Sequence, residues 1–312
     1  MIYSYSILCI VGPTAVGKSR VGYDFAKFMP SEIISCDSMQ VYKEINIVTD
    51  KPSQLMRDKI PHHLIDIVSV KDKFDVVNFR DEAIKLIEDL HKRNRLPIVV
   101  GGTGFYLEVL LDGIFEGGGS DPALRAKLLE QAEIEGKQVL HKQLADKDPD
   151  AAAKIHPNDL KKIVRALEVC IKSNAPISNL QQNKVNGLWE DKKYLIKVFG
   201  LRMDREVLYK RIEQRIDEMF DRGVVDEIKE ISKLPISYTA KGALGFKEIM
   251  GYLYGEYSLD QAKTLLKRNT RRFAKRQMTW FRRDKRIEWI DVDEKASSED
   301  IANCIYDKWK NY

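Results

Sequence analysis

Apolar positions along the first hundred residues alternate between two rhythms. Ser6-Ile7-Leu8-Cys9-Ile10-Val11 is a short apolar run opening straight into a glycine-containing loop, the pattern of a buried strand followed by a turn and a helix. Residues 32–36 and Pro97-Ile98-Val99-Val100 predict two more buried strands. Between them Phe79, Ala83, Ile84, Ile87 and Leu90 share one face of a helix over 78–93, with Asp75 or Asn78 as its cap. Strands alternating with helices predict an α/β fold, a parallel sheet flanked by helices on both faces. Ligands of such sheets bind outside the carboxyl ends of the strands.

The rhythm changes after Gly113. Gly117-Gly118-Gly119-Ser120 predicts a flexible joint, and Asp121-Pro122 a helix start with Asp as cap and Pro in the first turn. Residues 122–172 read as wholly helical, with new starts near Asp148-Pro149 and Asn158. Residues 194–201 return to strand, Asp204 caps a helix ending near Gly223, helices continue to about residue 283, and Ile287–Asp291 predicts a last strand. The expected organisation is an α/β core formed by 1–113 and 186–312, interrupted by a helical insertion over 114–185.

Composition narrows the setting. The chain has 312 residues, 44% apolar and 32% charged, which is a globular composition and excludes disordered and fibrous classes. No apolar run approaches the roughly 18 residues of a membrane span, and no signal peptide is expected at the N-terminus. Cys9, Cys36, Cys170 and Cys304 show no paired spacing, which argues against a disulfide framework or zinc site and for a reducing cytoplasm. His62, His63, His91, His141 and His156 show no metal spacing either. The net charge of +5 hides an asymmetry: residues 263–286 carry eleven basic side chains and the single acid Asp284. With Phe273, Trp280 and Phe281 interleaved, that stretch fits a polyanion surface better than an ordinary mixed-charge helix face.

The sharpest chemical signal is Gly12-Pro13-Thr14-Ala15-Val16-Gly17-Lys18-Ser19, a G-x-x-x-x-G-K-[ST] loop between a predicted strand and helix. Backbone N–H groups of such a loop and the following helix N-terminus cradle phosphate oxygens. Lys18 would neutralise phosphate charge, and Ser19 would offer its hydroxyl to Mg²⁺. Proteins with this loop usually transfer a terminal phosphate and hold Mg²⁺ with an acid at a nearby strand end. Asp37 is a candidate for that acid. The strand ending at Val100 runs instead into Gly101-Gly102-Thr103-Gly104. The residues alone therefore define a phosphate-binding α/β enzyme with a polyanion surface. A nucleoside or metabolite kinase, a prenyl transferase on free adenine nucleotides and a nucleic-acid-binding ATPase all stay open.

Several segments together resemble one family. The phosphate loop is similar to the GPTAxGK[ST] loop of the tRNA dimethylallyltransferases, and Asp37-Ser38-Met39-Gln40-Val41-Tyr42 to their DSxQVY. Gly101-Gly102-Thr103-Gly104-Phe105-Tyr106 is similar to GGTGLY, Arg165-Ala166-Leu167-Glu168 to RALE, Gly245-Phe246-Lys247-Glu248 to GYKE, and 275–282 to KRQxTWFR. The segments keep the family's order from residue 12 to residue 282. There are departures. Ile47-Val48-Thr49-Asp50-Lys51-Pro52 stands where the family has IGTAKP, Lys161-Lys162 where it often has Gln-Arg before RALE, and Phe246 where it has Tyr.

The resemblance implies a P-loop NTPase-like core. It implies transfer of a dimethylallyl group from its diphosphate to N6 of the adenosine 3′ to the anticodon in tRNA, with Mg²⁺, in a cytoplasmic monomer. The loop residues Gly12 to Ser19 would hold diphosphate rather than ATP. Asp37 would take the proton of the amine, a service worth typically ~10²–10⁴-fold; the alternatives for Asp37 are a Mg²⁺ ligand or a helix cap. Thr103 would orient the leaving oxygen or act as a plain turn hydroxyl. Arg211 and Arg215 share a helix face; Arg215 is the expected diphosphate contact, against a surface pairing with Glu218 or Asp217. Asp37, Ser38, Met39, Gln40 and Tyr42 are the expected contacts to the target nucleotide. The anticodon stem-loop would lie on Lys161, Lys162 and Arg165 of the insertion, and on Gly245, Phe246, Lys247, Lys275, Arg276, Gln277, Thr279, Trp280 and Arg282. Trp280 and Phe281 either stack on bases or belong to the core.

Overall fold

A computed structural model describes residues 5–115, 119–182, 184–185 and 187–311. The first stretch contains β1 (Ser6–Val11), α1 (Lys18–Phe25), β2 (Ser31–Cys36), α2 (Gln54–Lys59), β3 (His62–His63), α3 (Val76–Lys92), β4 (Leu96–Gly101) and α4 (Gly104–Asp112). The middle contains β5 (Ile114–Phe115), α5 (Pro122–Glu135), α6 (Lys137–Lys147), α7 (Pro149–Lys154), α8 (Leu160–Ser173), α9 (Ile177–Leu180) and β6 (Lys184–Val185). The last contains β7 (Leu195–Arg202), α10 (Arg205–Asp221), α11 (Val224–Ser232), α12 (Phe246–Leu253), α13 (Leu259–Phe281), β8 (Ile287–Asp291) and α14 (Ser298–Lys310). Contacts divide the chain into two compact units, Met1–Leu110 with Asp191–Tyr312, and Leu111–Glu190.

In the first unit six strands pair in the order β3-β2-β4-β1-β7-β8, all parallel. Every residue of β1 and β2 is buried, which is why both read as continuous apolar runs rather than alternating ones. The register matters most for function. Cys36, Gly101, Val11 and Gly200 lie side by side across β2, β4, β1 and β7. The loops that follow β2, β4 and β1 therefore leave the sheet at one level. Gly101 permits this closeness, since a Cβ there would lie 2.0 Å from the carbonyl oxygen of Cys36. On α3, Asp75 accepts from Val77 and Asn78 N–H while Asn78 caps the Asp75 N–H in return, so both expected caps act together.

The second unit has its own core. Leu140, Leu144, Ile163, Leu167 and Val169 are fully buried, joined by Ala166. The helical stretch expected over 122–172, with starts at Pro122 and near Asp148 and Asn158, is four helices, the additional break falling at Gly136. Gly136 at φ +89 ends α5, and the stretch between α7 and α8 breaks the rest. Asp148 caps α7 through Ala151 N–H and also receives Ser178 N–H and Oγ–H, fixing α9. Asp159 caps α8, at the start expected near Asn158. A short antiparallel pairing of β5 with β6 had no counterpart in the sequence pattern. Of the expected glycine joint, Gly117 and Gly118 lie outside the described residues. In the first unit the helices α2 and α4, the two-residue edge strand β3 and the helix α14 went unforeseen; α14 starts with a capping box of Ser297 with Asp300.

All four cysteines are free. No helix among the described residues is long and apolar enough to cross a membrane.

Candidate active site at the strand ends

The loop after β1 turns through two left-handed residues, Ala15 at φ +65 and Gly17 at φ +100, and Gly17 precedes α1. Among the described residues no side chain caps the first turn of α1, so its N–H groups face outward for an anion. Lys18 folds back over the loop and donates to the Pro13 carbonyl at 2.6 Å. Burial pulls its ammonium down to about 8; the nearby Asp37 carboxylate opposes that shift and the Arg215 guanidinium reinforces it. Lys18 thus senses both other charged groups expected at the site.

Asp37 stands one residue beyond β2. Its Oδ1 accepts Met39 N–H at 2.8 Å and Gln40 N–H at 3.3 Å, which locks the turn and leaves Oδ2 outside it. Thr103 comes from the loop after β4. Its Oγ1 accepts Ser38 N–H at 3.1 Å, and its own N–H donates to Cys36 O at 3.2 Å. The two turns are therefore stitched together by backbone and hydroxyl. Arg215 reaches the same place from α10, donating from Nη1 to Thr14 Oγ1 at 2.9 Å. The alternative pairings fail. Asp217 is taken by Lys267 of α13, and Glu218 by Gln214. Arg211 does not join the site; it donates to the Glu294 carbonyl at 3.4 Å. A cavity of about 40 Å³ opens beside the phosphate loop, with Thr14, Ala15 and Arg215 facing Val48, Ile216 and Leu266.

Several residues expected to face RNA are placed otherwise. Tyr42 is fully buried, with its hydroxyl donating to Thr239 Oγ1 at 2.7 Å. Gln40 is buried, accepting from Ser35 and donating to the Thr49 carbonyl. Gly245, at φ +100, is the buried residue before α12; a Cβ there would lie 2.7 Å from Val48 Cγ2. Gln277 is buried between two loops, and Phe281 is 2% exposed. Gln40, Tyr42, Gly245 and Gln277 thus pack and brace the loops, and Phe281 takes its core alternative. Arg165 is half-occupied by Glu168, at 2.5 Å. Lys161 and Lys162 are exposed, Lys162 paired with Asp159. Ser38, Met39 and Phe246 are partly exposed and Lys247 exposed.

The basic stripe divides by face. Lys263 and Lys267 turn to Asp217, Arg271 to Glu213 and Arg286 to Asp284. Arg268, Arg272, Lys275, Arg276, Arg282, Arg283 and Lys285 remain exposed, with Thr279 and Trp280 among them. Trp280 meets Phe105 edge-on at 6.2 Å, and Arg283 stacks over its ring. This aromatic pair borders the Thr103 loop.

Two functional neighbours escaped the sequence reading. Asp50, in a left-handed conformation at φ +49, lies 3.3 Å from Arg215 Nε and 3.5 Å from Arg222 Nη1. It occupies the position where the family pattern has alanine, so the departure was visible while its partner was not. Glu227 of α11 accepts the N–H groups of Asn46, Ile47 and Val48 at 2.7–3.0 Å and holds the same loop.

Fold and loop together define an α/β protein of the P-loop class, with cationic and carboxylate groups converging beyond the carboxyl ends of inner strands of the sheet. Residues 40–284 match the family described as IPP transferase. The tRNA dimethylallyltransferase of Carboxydothermus hydrogenoformans is 46% identical over 304 residues, covering 97% of this chain and 96% of that one. That of Geobacter metallireducens is 43% identical over 294 residues, covering 94% of each. Among solved structures, the tRNA isopentenylpyrophosphate transferase of Bacillus halodurans gives a TM-score of 0.70 at 39% identity, covering 98% of this chain and 97% of that one. A eukaryotic dimethylallyltransferase described as acting on tRNA gives 0.76 at 29% identity, covering 98% and 80%. The chain belongs to the IPP transferase family.

Proposed function

We propose that the chain transfers a dimethylallyl group from dimethylallyl diphosphate to N6 of the adenosine just 3′ of the anticodon, releasing diphosphate. Membership of its family makes it a prenyl transferase acting on tRNA. The finer reading is supported above all by one observation: Lys18 at the start of α1, Asp37 and Thr103 in the loops after β2 and β4, and Arg215 from the middle of α10 come together.

The chemistry follows from that arrangement. The bond between the allylic carbon and the diphosphate oxygen breaks, and the bond to N6 forms. Negative charge grows on the departing diphosphate, where Lys18, Arg215 and the loop N–H groups are already in place. While accepting Ser38 N–H, the Thr103 hydroxyl donates only along a 3.5 Å contact to Ser38 Oγ and can redirect that proton to a phosphate oxygen. The N6 lone pair is delocalised into the ring, so the amine must lose a proton as it attacks; Asp37 Oδ2 accepts it. Apolar Val48, Ile216 and Leu266 beside the phosphate loop suit the hydrocarbon group. The exposed half of the stripe on α13 provides the phosphate contacts, and Trp280 with Phe105 a stacking edge for an unstacked base.

Mg²⁺ fits this site as a substrate-borne ion. No cluster of three His, Cys, Asp or Glu side chains converges among the described residues, and Mg²⁺ commonly sits on substrate phosphates and water with few protein ligands. Ser19 would supply a hydroxyl, and the ion would neutralise diphosphate charge. All the residues invoked come from one chain, so a monomer suffices, and four free cysteines suit the cytoplasm.

The test uses purified protein, Mg²⁺ and radiolabelled dimethylallyl diphosphate. One tube holds an anticodon stem-loop with adenosine 3′ of the anticodon, a second the guanosine version, a third free AMP. Label in the first alone supports the proposal. Label in AMP makes the chain a small-molecule prenyl transferase. Asp37→Asn should lower the transfer rate by ~10²–10⁴-fold with diphosphate affinity nearly unchanged; full activity in that variant removes Asp37 as the base.

A further inference from the structure

The buried residues of α13 are Ala262, Leu266, Ala274, Gln277 and Phe281. Gln277 is the polar one, and an amide in that position demands partners. It has two. Its Oε1 accepts the N–H of Thr14 in the phosphate loop at 2.8 Å, and its Nε2 donates to the carbonyl of Gly102 at 2.8 Å. The amide therefore spans from the loop after β1 to the loop after β4, the two segments that carry Lys18 and Thr103.

Both ends are tailored to it. A Cβ on Gly102 would lie 2.4 Å from Gln277 Nε2, so only glycine admits the amide. Thr14 is gripped twice, by Gln277 at its N–H and by Arg215 at its hydroxyl. An amide has one acceptor and one donor group, and this bridge needs one of each. No carboxylate, hydrocarbon or ammonium of similar size can serve both ends.

We infer that Gln277 is a positioning residue for the transfer reaction: it sets the spacing and orientation of the phosphate loop against the Thr103 loop, and so the affinity for the diphosphate group. The inference rests on the reading of the Gly12–Ser19 loop as the diphosphate site. Gln277 touches no RNA in this role, although it stands within one helical turn of exposed Lys275, Arg276 and Trp280.

The experiment measures binding of inorganic diphosphate with Mg²⁺, and separately of the stem-loop RNA, well below the thermal transition. Four proteins are compared: wild type, Gln277→Met, Gly102→Ala and Lys18→Ala. Met has nearly the volume of Gln and neither hydrogen bond; Gly102→Ala pushes the amide away without touching α13. Both should weaken diphosphate about tenfold, since misplacing catalytic groups by an ångström costs that much or more. Both should leave RNA affinity within twofold, and kcat/KM for dimethylallyl diphosphate should fall in step. Gln277→Met losing RNA affinity with diphosphate binding intact would make Gln277 an RNA contact and overturn the inference. Both variants binding diphosphate as wild type, while Lys18→Ala does not, would reduce Gln277 to a packing residue. Lys18→Ala binding normally would instead refute the diphosphate reading beneath it. If Gln277→Met does not fold, Gly102→Ala decides.

Discussion

Replacing Glu168 by Gln should destabilise the helical unit while sparing the phosphate site. The side chain is fully buried, yet its carboxylate takes four hydrogen bonds: two from Arg125 at 2.9 Å, one from the Asp121 N–H at 2.6 Å and one from Arg165 at 2.5 Å. Burial works against the charge, but these partners outweigh it and hold the carboxyl at about 2, against an ordinary 4.5. A depression of that size corresponds to ~3 kcal/mol of stability at neutral pH. Disrupting a buried ion pair by removing one partner typically costs about 3–5 kcal/mol, in agreement. Because the folded carboxyl is the more acidic one, its contribution is complete above pH 4.5 and fades as the pH falls through about 2. Urea unfolding of the full chain near pH 7, with hydrogen exchange to locate the change, reads the effect. Glu168→Gln should lower stability by ~3 kcal/mol, with faster exchange confined to 111–190. The gap to wild type should narrow only below pH 4.5. A variant within 1 kcal/mol of wild type, or exchange accelerated equally in β1 and β4, would refute the reasoning.

Two other outcomes concern the phosphate site. Lys18 loses its proton through about pH 8 in the free protein, so wild-type diphosphate affinity should fall about fivefold between pH 8 and pH 9 relative to Lys18→Arg; parallel profiles for the two proteins would show that Lys18 stays charged. Asp50→Ala should raise diphosphate affinity, because a carboxylate ~6 Å from an anion costs ~0.7 kcal/mol per unit charge in water, about threefold. Added salt should shrink that gain. Weaker binding in Asp50→Ala, measured by calorimetry, would mean that Asp50 serves to aim Arg215.

The elements that carry the site were the most legible. The run from Ser6 to Val11 is fully buried on both sides, so its apolar stretch was unbroken, and the glycines after it have no use except a turn. Asp37 and Thr103 could be placed at strand ends for the same reason. The hydrogen bonds that join their loops, Ser38 N–H to Thr103 Oγ1 and Thr103 N–H to the Cys36 carbonyl, could not, because they depend on β2 lying beside β4, and strand order is not written in local periodicity. Burial of polar residues was the least legible. Gln40, Tyr42 and Gln277 look like recognition residues in a sequence, since polar groups are usually exposed. Tyr42 and Gln277 are instead satisfied by partners 197 and 175 residues away, and Gln40 by Ser35 and Thr49 within its own loop region. Arg165 and Glu168 show the same limit, as three residues of spacing allowed an RNA contact or an internal pair. The two-residue strand β3 is too short for any periodicity to register.

The pairing of Val11 with Gly200 has a consequence for how the chain is made. On a ribosome, β1 emerges first and gains β4 as a neighbour early, but its other edge stays open until β7 arrives about 190 residues later. At ordinary elongation rates that is roughly 10–40 s. During that interval a strand apolar from Ile7 to Val11, bearing the phosphate loop at its tip, offers unpaired backbone groups to anything extended nearby. Its shelter depends on the intervening 80 or so residues collapsing promptly onto their own core. A variant that slows the helical unit should therefore show its damage first as nascent-chain aggregation, before any loss of catalysis in the molecules that finish.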